Sequence, residues 1–129
     1  MDAFKTQGAF SWNELMTNDA EAALKFYQPL FGWQVQTMEM GMGPYHVIKA
    51  GDTSVGGVMK TPPGAPPAPP MWGSYVTVGD VDDICAKAKQ LGGQVVHGPM
   101  DIPQVGRMAV IVDPQGAAIN VIKYLPQQS

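Results

Sequence analysis

The stretch NDAEAALKFYQPLFGWQV, residues 18–35, decides the fold, because its pattern returns as GDVDDICAKAKQLGGQVV, residues 79–96. At one constant offset, four residues of the first copy (Asp19, Leu30, Gly32 and Val35) recur as Asp80, Leu91, Gly93 and Val96. In each copy an Asp can cap the first turn of a helix, apolar residues follow at helical spacing, and a Gly ends it. A repeat this short cannot bury its apolar face alone. We therefore expect the two copies to pack together and to form a site between them.

Each copy is predicted to be a β-α-β-β-β module. In module one, about residues 8–60, a strand at 10–17 precedes the helix, which Pro29 should distort or end, and strands follow at 33–39, 45–50 and 54–60. In module two, about residues 72–124, the strands are expected at 72–78, 94–97, 108–112 and 117–124, with the helix capped by Asp80. A turn is expected at Gly98-Pro99, directly after His97. The Pro-rich segment 61–71 should be an extended connector, and residues 1–129 one domain.

Composition excludes several classes of function. The net charge is −3 and the Lys and Arg residues are scattered, so a nucleic-acid surface is not expected. No apolar run reaches the length of a membrane span, and the N-terminus lacks the apolar segment of a secretory signal. One cysteine, Cys85, excludes an internal disulfide and fits a reducing compartment, so the cytoplasm is the expected location.

The chain resembles the vicinal oxygen chelate superfamily, which includes glyoxalase I, bleomycin-resistance proteins and extradiol dioxygenases. The segments that carry the resemblance are 12–17, 26–27 and 30–33 in module one, and 78–82, 91–93 and 113–117 in module two. Residues 98–107 look like a glyoxalase-like subgroup whose members often have no assigned reaction. The resemblance implies an α+β fold of two βαβββ modules, whose paired mixed sheets form an open barrel around a cleft. It also implies a homodimer.

Relatives that use a metal place His, Glu or Gln on the first and last strand of each module, since a divalent ion needs several N or O donors. Here the first position is Trp12, and its equivalent in module two is Gly73, or Trp72 or Ser74 if the register shifts by one residue. The last strands offer only residues 55–59 (Val-Gly-Gly-Val-Met) and Asn120, a weak neutral donor. All four positions lack a usual ligand. The sequence therefore predicts no metal ligand and no cofactor, with a divalent metal kept as a disfavoured alternative.

Polar and aromatic residues could still line the cleft. Glu14 shares a strand face with Trp12 and is the candidate catalytic residue, as a general base or as a partner of a cationic ligand; the alternative is a carboxylate paired with Arg107 or Lys. Arg107 could bind an anionic ligand group or form a surface salt bridge. The full set of predicted ligand-binding residues is Trp12, Glu14, His46, Trp72, Tyr75, Thr77, Arg107 and Asn120.

Three functions remain open from the sequence. The first is a metal-free domain that binds a small organic ligand in an aromatic cleft. The second is an enzyme, either a lyase or dioxygenase with a metal relocated to donors such as Glu14, His46 and Asn120, or a metal-independent acid–base catalyst that uses Glu14. The third is an interaction module in which the Pro-rich connector is the partner surface. The Met-rich run at residues 38–43 is a flexible lip over the cleft or a hairpin in a core or dimer contact.

Overall fold

Two β-α-β-β-β modules make up the chain, as the repeat predicts. The computed structural model describes residues 1–39, 43–62, 64 and 68–126. The elements are β1 (Phe10–Thr17), α1 (Ala20–Phe31), β2 (Gln34–Glu39), β3 (Pro44–Ala50), β4 (Thr53–Lys60), β5 (Met71–Thr77), α2 (Val81–Gln90), β6 (Gln94–Ile102), β7 (Gly106–Val112) and β8 (Ala118–Tyr124). The α+β class and the two modules are confirmed. Parts of the Met-rich run (residues 40–42) and of the connector (63 and 65–67) lie outside the described residues.

The chain divides into two compact units. The first unit is Trp12–Gly73, and the second unit is Met1–Ser11 with Ser74–Ser129. The boundary differs from the sequence prediction, because residues 8–11 were assigned to module one. Gly8 N–H donates to the carbonyl of Thr77 at 2.8 Å, and Thr77 N–H donates to the carbonyl of Ala9 at 2.9 Å. These pairings join the N-terminal residues to β5 in the second unit, a contact that local sequence patterns do not encode.

In the first unit the strands lie in the order β2-β3-β4-β1, with β1 and β4 parallel and the other neighbours antiparallel. Helix α1 covers one face of this sheet, which we call its helix face. The buried core on that face consists of Leu15, Leu24, Ile48 and Val58. Because side chains alternate along a strand, residues adjacent to these core positions point to the opposite face, which we call the open face.

In the second unit the strands lie in the order β5-β8-β7-β6, and β5 and β8 are parallel. Helix α2 covers the helix face of this sheet, where the core consists of Val78, Val81, Cys85, Ala109 and Val121. Among the described residues, no helix is long and apolar enough to cross a membrane.

The two helices begin as predicted, and α1 ends at Gly32, the predicted exit, rather than at Pro29. The side chain of Asp19 accepts from Ala22 N–H, and that of Asp80 accepts from Asp83 N–H, both at 3.0 Å. Pro29 lies inside the last turn of α1, where the missing N–H removes one hydrogen bond without stopping the helix. The helix ends at Gly32, whose φ of 72° is left-handed and whose N–H donates to the carbonyl of Gln28.

Strand β6 is longer than predicted. It continues from Gln94 to Ile102, so Gly98 and Pro99 lie in a strand and the prediction of a turn at this point was wrong. The pairing with β7 shifts register between Val95 and His97 and again between His97 and Met100. Gly98, at a φ of 77°, makes this irregularity possible. Gly-Pro therefore marks an irregular strand here, whereas the sequence pattern alone favours a turn.

Candidate functional site

The open face of the first unit carries a cluster of side chains at Gly57, where the lack of a side chain leaves space for a neighbouring ring. In the strand order β3-β4-β1, Glu14 of β1 lies opposite Gly57 of β4, and Gly57 lies opposite Val47 of β3. A Cβ added to Gly57 would lie closer to the ring and the hydroxyl of Tyr45 than van der Waals radii allow. The side chain of Tyr45 therefore lies across β4, in the space left by the glycine, and reaches Glu14.

A chain of hydrogen bonds runs through this cluster. The indole Nε1–H of Trp12 donates to Tyr45 Oη at 2.9 Å, and Tyr45 Oη–H donates to Glu14 Oε2 at 2.8 Å. A phenol has one proton to donate, so the bond from Trp12 aligns the hydroxyl toward the carboxylate, and the two bonds strengthen each other. Glu14 is 9% exposed. A carboxylate this buried, held beside an indole and a phenol, can bind a cation or accept a proton.

His46 does not join this cluster. It neighbours Tyr45 on β3, so strand alternation points it to the helix face, where it pairs in register with Val58 of the core. Its Nδ1 forms a hydrogen bond of 2.9 Å with the hydroxyl of Thr37. The structure therefore places His46 on the opposite side of the sheet from Glu14, and a metal held by both residues is geometrically excluded.

Trp72 also lies on the helix side of the first unit. Its Nε1–H donates to Tyr27 Oη at 3.3 Å, and its ring packs edge-on against the ring of Tyr27 with centroids 5.5 Å apart. Tyr27 belongs to α1 and packs against the core of that unit. Trp72 is 39% exposed, beside the exposed Phe31 of the same aromatic cluster. The prediction grouped Trp72 with Trp12, but in the structure Trp12 lies on the open face and Trp72 on the helix side of the sheet.

In the second unit the structure brings Tyr75, Thr77 and Asn120 to one face. Parallel pairing of β5 with β8 sets Tyr75 opposite Asn120 and Thr77 opposite Ile122, on the face of this sheet that points away from α2. Tyr75 and Thr77 are buried, at 6% and 4% exposure. The hydroxyl of Thr77 donates to the carbonyl of Ala3 at 2.6 Å, and Asn120 Nδ2–H donates to the carbonyl of Ser74 at 3.3 Å. Thr77 therefore anchors the N-terminal residues.

Arg107 forms a surface salt bridge, the second of the two roles that its sequence left open. Its Nε and Nη2 donate to the two carboxylate oxygens of Asp82 at 2.9 and 3.0 Å, and Nη1 donates to Asp101 at 3.2 Å. These hydrogen bonds raise the pKa of Arg107, and the same bonds hold the pKa of Asp82 below its ordinary value. The guanidinium is thus already occupied by two carboxylates.

The residues present do not fit the metal that the fold suggests. Within residues 1–39, 43–62, 64 and 68–126, no three His, Cys, Asp or Glu side chains come together as a possible metal site. The positions that would carry ligands hold Trp12, Gly73 and Asn120, and glycines occupy the middle of β4. Two of these positions have other uses: Trp12 donates to Tyr45, and Gly57 makes room for it.

Sequence reasoning missed Tyr45 and Gly57. Tyr45 was treated only as a strand residue, although it is the centre of the hydrogen-bond chain. The available signal was the pair Gly56-Gly57 inside a predicted strand, because a glycine there often marks the close approach of another group. A Cβ on Gly56 would likewise meet the carbonyl oxygen of Asn13 at 2.5 Å. What the sequence could not show is which side chain fills the space.

Comparison with known proteins gives a consistent family. A family model described as "Glyoxalase/Bleomycin resistance protein/Dioxygenase superfamily" matches residues 9–121. "Putative glyoxylase CFP32" of Mycobacterium bovis is 48% identical over 122 residues, which are 94% of this chain and 46% of that protein. "Anthracycline biosynthesis protein DnrV" of Streptomyces peucetius is 33% identical over 127 residues, 88% of this chain and 46% of that protein. The chain thus spans about half the length of these curated relatives.

Solved structures at low identity share the fold. Methylmalonyl-CoA epimerase from Mycobacterium tuberculosis has a TM-score of 0.66 at 14% identity, covering 95% of this chain and 92% of that one. Homoprotocatechuate 2,3-dioxygenase from B. fuscum, in its H200Q variant, has a TM-score of 0.64 at 15% identity, covering 93% of this chain and 33% of that one. At such identities the likeness concerns the fold alone.

Proposed function

The chain belongs to the glyoxalase/bleomycin resistance protein/dioxygenase superfamily, and we propose that it binds a small organic ligand without a metal. The ligand class that we propose is an aromatic cation, bound on the open face of the first unit. One observation carries the proposal: Glu14 is a buried carboxylate whose position is set by the hydrogen-bond chain from Trp12 through Tyr45.

Three properties of the cluster support this ligand class. A buried carboxylate attracts an ammonium group far more strongly than an exposed one does, because water screens it less. The indole of Trp12 supplies an aromatic surface, and cations are favoured over the face of such rings. A few fixed polar groups among aromatic walls are typical of small-molecule sites. The hydrogen-bond chain sets the position of the carboxylate before a ligand arrives, so less ordering is needed on binding.

The test measures the thermal midpoint of the protein with aromatic amines, using benzylamine as the smallest, and with neutral benzyl alcohol as the matched compound. An amine at a hundredfold excess over its Kd should stabilise the fold by about 2.7 kcal/mol. Glu14→Gln keeps an oxygen that can accept from Tyr45 but removes the charge, so amine affinity should fall by roughly tenfold or more. Glu39→Gln makes the same change on exposed β2 and should leave the affinity unchanged.

Two outcomes oppose the proposal. Equal stabilisation by benzylamine and benzyl alcohol would show that the carboxylate is not the recognition group. A midpoint that rises with a divalent ion after chelator treatment, and not with any amine, would replace the proposal with a metal site assembled from residues that the sequence pattern did not predict.

A second candidate is acid–base catalysis by Glu14 on such a ligand. It is favoured by the hydroxyl of Tyr45, whose hydrogen bond holds the carboxylate of Glu14 in place while that carboxylate takes a proton from the ligand and returns it to the ligand. Incorporation of deuterium from solvent into a bound ligand would support turnover. Loss of that incorporation in Glu14→Gln, with binding of the neutral analogue retained, would assign the step to the carboxylate.

We also propose that the chain acts in the cytoplasm as a homodimer. A single buried Cys85 is compatible with a reducing compartment. Light scattering of the purified protein across a range of concentrations measures the assembly directly, and a single monomer mass throughout would remove the dimer from the proposal.

A further inference from the structure

The N-terminal residues form one wall of a separate cavity in the second unit. The cavity has a volume of about 330 Å³. Its apolar walls include Phe4, Tyr124, Leu125 and Pro126, and its charged side chains are Lys5 and Lys123. The volume is at the lower end of the range of about 300–1,000 Å³ that is usual for small-ligand sites.

The wall contributed by residues 1–9 is tied down by hydrogen bonds at several points. Lys5 N–H donates to the carbonyl of Asp2 at 3.0 Å and closes a turn. Gly79 N–H donates to Gln7 Oε1 at 2.6 Å, and the hydroxyl of Thr77 donates to the carbonyl of Ala3. The N-terminal segment is therefore part of the folded unit, and the cavity beside it is formed before a ligand binds.

Two aromatic rings set the shape of the apolar wall. The rings of Phe4 and Tyr124 meet edge to face, with centroids 4.9 Å apart and an interplanar angle of 84°. The hydroxyl of Tyr124 is held by Ser11 Oγ at 2.7 Å, and burial raises the pKa of this phenol. Tyr124 therefore stays neutral at physiological pH, and the wall is an uncharged aromatic surface suited to a single ring.

The charge at the cavity is positive although the chain as a whole is acidic. Acidic residues outnumber basic ones, 11 to 8, yet both charged side chains among the described lining residues are lysines. Neither lysine has an ion-pair partner within the described part of the chain. Asp80 and Asp82 line a neighbouring pocket with Lys123, and both have other partners, since Asp82 is paired with Arg107 and Asp80 Oδ1 accepts from Asp83 N–H. Asp2 Oδ1 accepts from Phe4 N–H at 3.0 Å.

We propose that this cavity binds a small aromatic carboxylate, with the ring against Phe4 and Tyr124 and the carboxylate between Lys5 and Lys123. Lysine ammonium groups are strong partners for a carboxylate because the hydrogen bond is charge-assisted. The site is independent of the Glu14 cluster. The ligand proposed for this cavity is an anion, whereas the ligand proposed for the Glu14 cluster is a cation, so either proposal can be refuted while the other stands.

The experiment titrates the ¹⁵N-labelled full chain with benzoate, and with neutral benzamide of nearly the same shape, while recording amide chemical shifts. Saturable shifts are expected at residues 5, 7, 77–79 and 123–125, with benzamide binding more weakly. Lys123→Gln should weaken benzoate by roughly fivefold or more, and the Lys5→Gln, Lys123→Gln double variant further. Lys49→Gln, the same substitution on β3 of the first unit, should leave the affinity unchanged.

Three results would overturn the proposal. One is the absence of saturable shifts at these residues up to the solubility limit of benzoate. Another is equal affinity for benzoate and benzamide, or an affinity that the lysine substitutions do not alter. The third is a benzoate effect confined to Trp12, Glu14 and Tyr45, which would place the anion in the first unit.

Discussion

Gly57→Ala is the sharpest test of the hydrogen-bond chain on the open face. The added methyl group would occupy the position of the Tyr45 ring, so that ring must move. Two hydrogen bonds are then lost: the one that Trp12 donates and the one that Glu14 accepts. The first joins uncharged groups and the second ends on a carboxylate, so together they stabilise the fold by about 2–4 kcal/mol.

A smaller effect opposes this loss. Alanine restricts the unfolded chain more than glycine does, which favours the folded state by about 0.5–1 kcal/mol. We therefore expect Gly57→Ala to lower the free energy of unfolding by about 1–3.5 kcal/mol, measured by urea denaturation followed by circular dichroism. Gly79→Ala is the matched control, since the nearest atom to its added Cβ is Gln7 Oε1 at an ordinary 3.5 Å.

A double-mutant cycle separates the clash with Tyr45 from any general intolerance of β4. In a Tyr45→Ala background the three atoms that the added Cβ would meet most closely are absent, so the same substitution should cost close to nothing. Additive effects of Gly57→Ala and Tyr45→Ala would contradict the reasoning, because they would show that the alanine methyl does not act through the tyrosine ring. Equal losses from Gly57→Ala and Gly79→Ala would contradict it as well.

Two further predictions concern the second unit. Arg107→Gln should raise the pKa of Asp82, measured by NMR of the side-chain carboxyl carbon, and leave that of Asp113, which backbone N–H groups hold low, unchanged. The pKa of Asp82 is lower in the folded state than in the unfolded state, so this pair stabilises the fold above about pH 4 and ceases to do so as pH falls through the folded-state pKa. The difference in free energy of unfolding between the wild type and Arg107→Gln should therefore shrink on acidification. Asp80→Ala should lower the free energy of unfolding in urea by about 1 kcal/mol, because it removes the cap of α2. Asp80→Asn, which can still cap the helix, should retain most of that stability. An equal loss from Asp83→Ala would refute the capping role of Asp80.

The order of elements was predictable because its signals are local. Asp19 and Asp80 each satisfy an N–H group three residues away, and Gly32 ends α1 through its own backbone conformation. Apolar periodicity placed Leu24 and Cys85 on buried helix faces. Where two local signals compete, prediction was less reliable. Pro29 and Gly32 both signal the end of α1, and the helix continues past the proline to the glycine. Gly98-Pro99 favours a turn, whereas pairing with β7 continues the strand there.

The side chains of the candidate site were harder to predict than the order of the elements. Alternation along β1 was enough to put Trp12 and Glu14 on one face, and the resemblance to metal-using relatives indicated the positions at which a usual metal ligand would be expected. The cluster itself depends on register between strands: Tyr45 meets Glu14 only because β3, β4 and β1 are neighbours and Gly57 leaves a gap between them. The same register sends His46 to the opposite face. The sequence alone determined the modules and their helix ends, since a cap or a period acts within a few residues. Only the tertiary structure decided which side chains meet, because cross-strand contacts join residues far apart in the chain, and a shift of one residue in pairing would reverse every face.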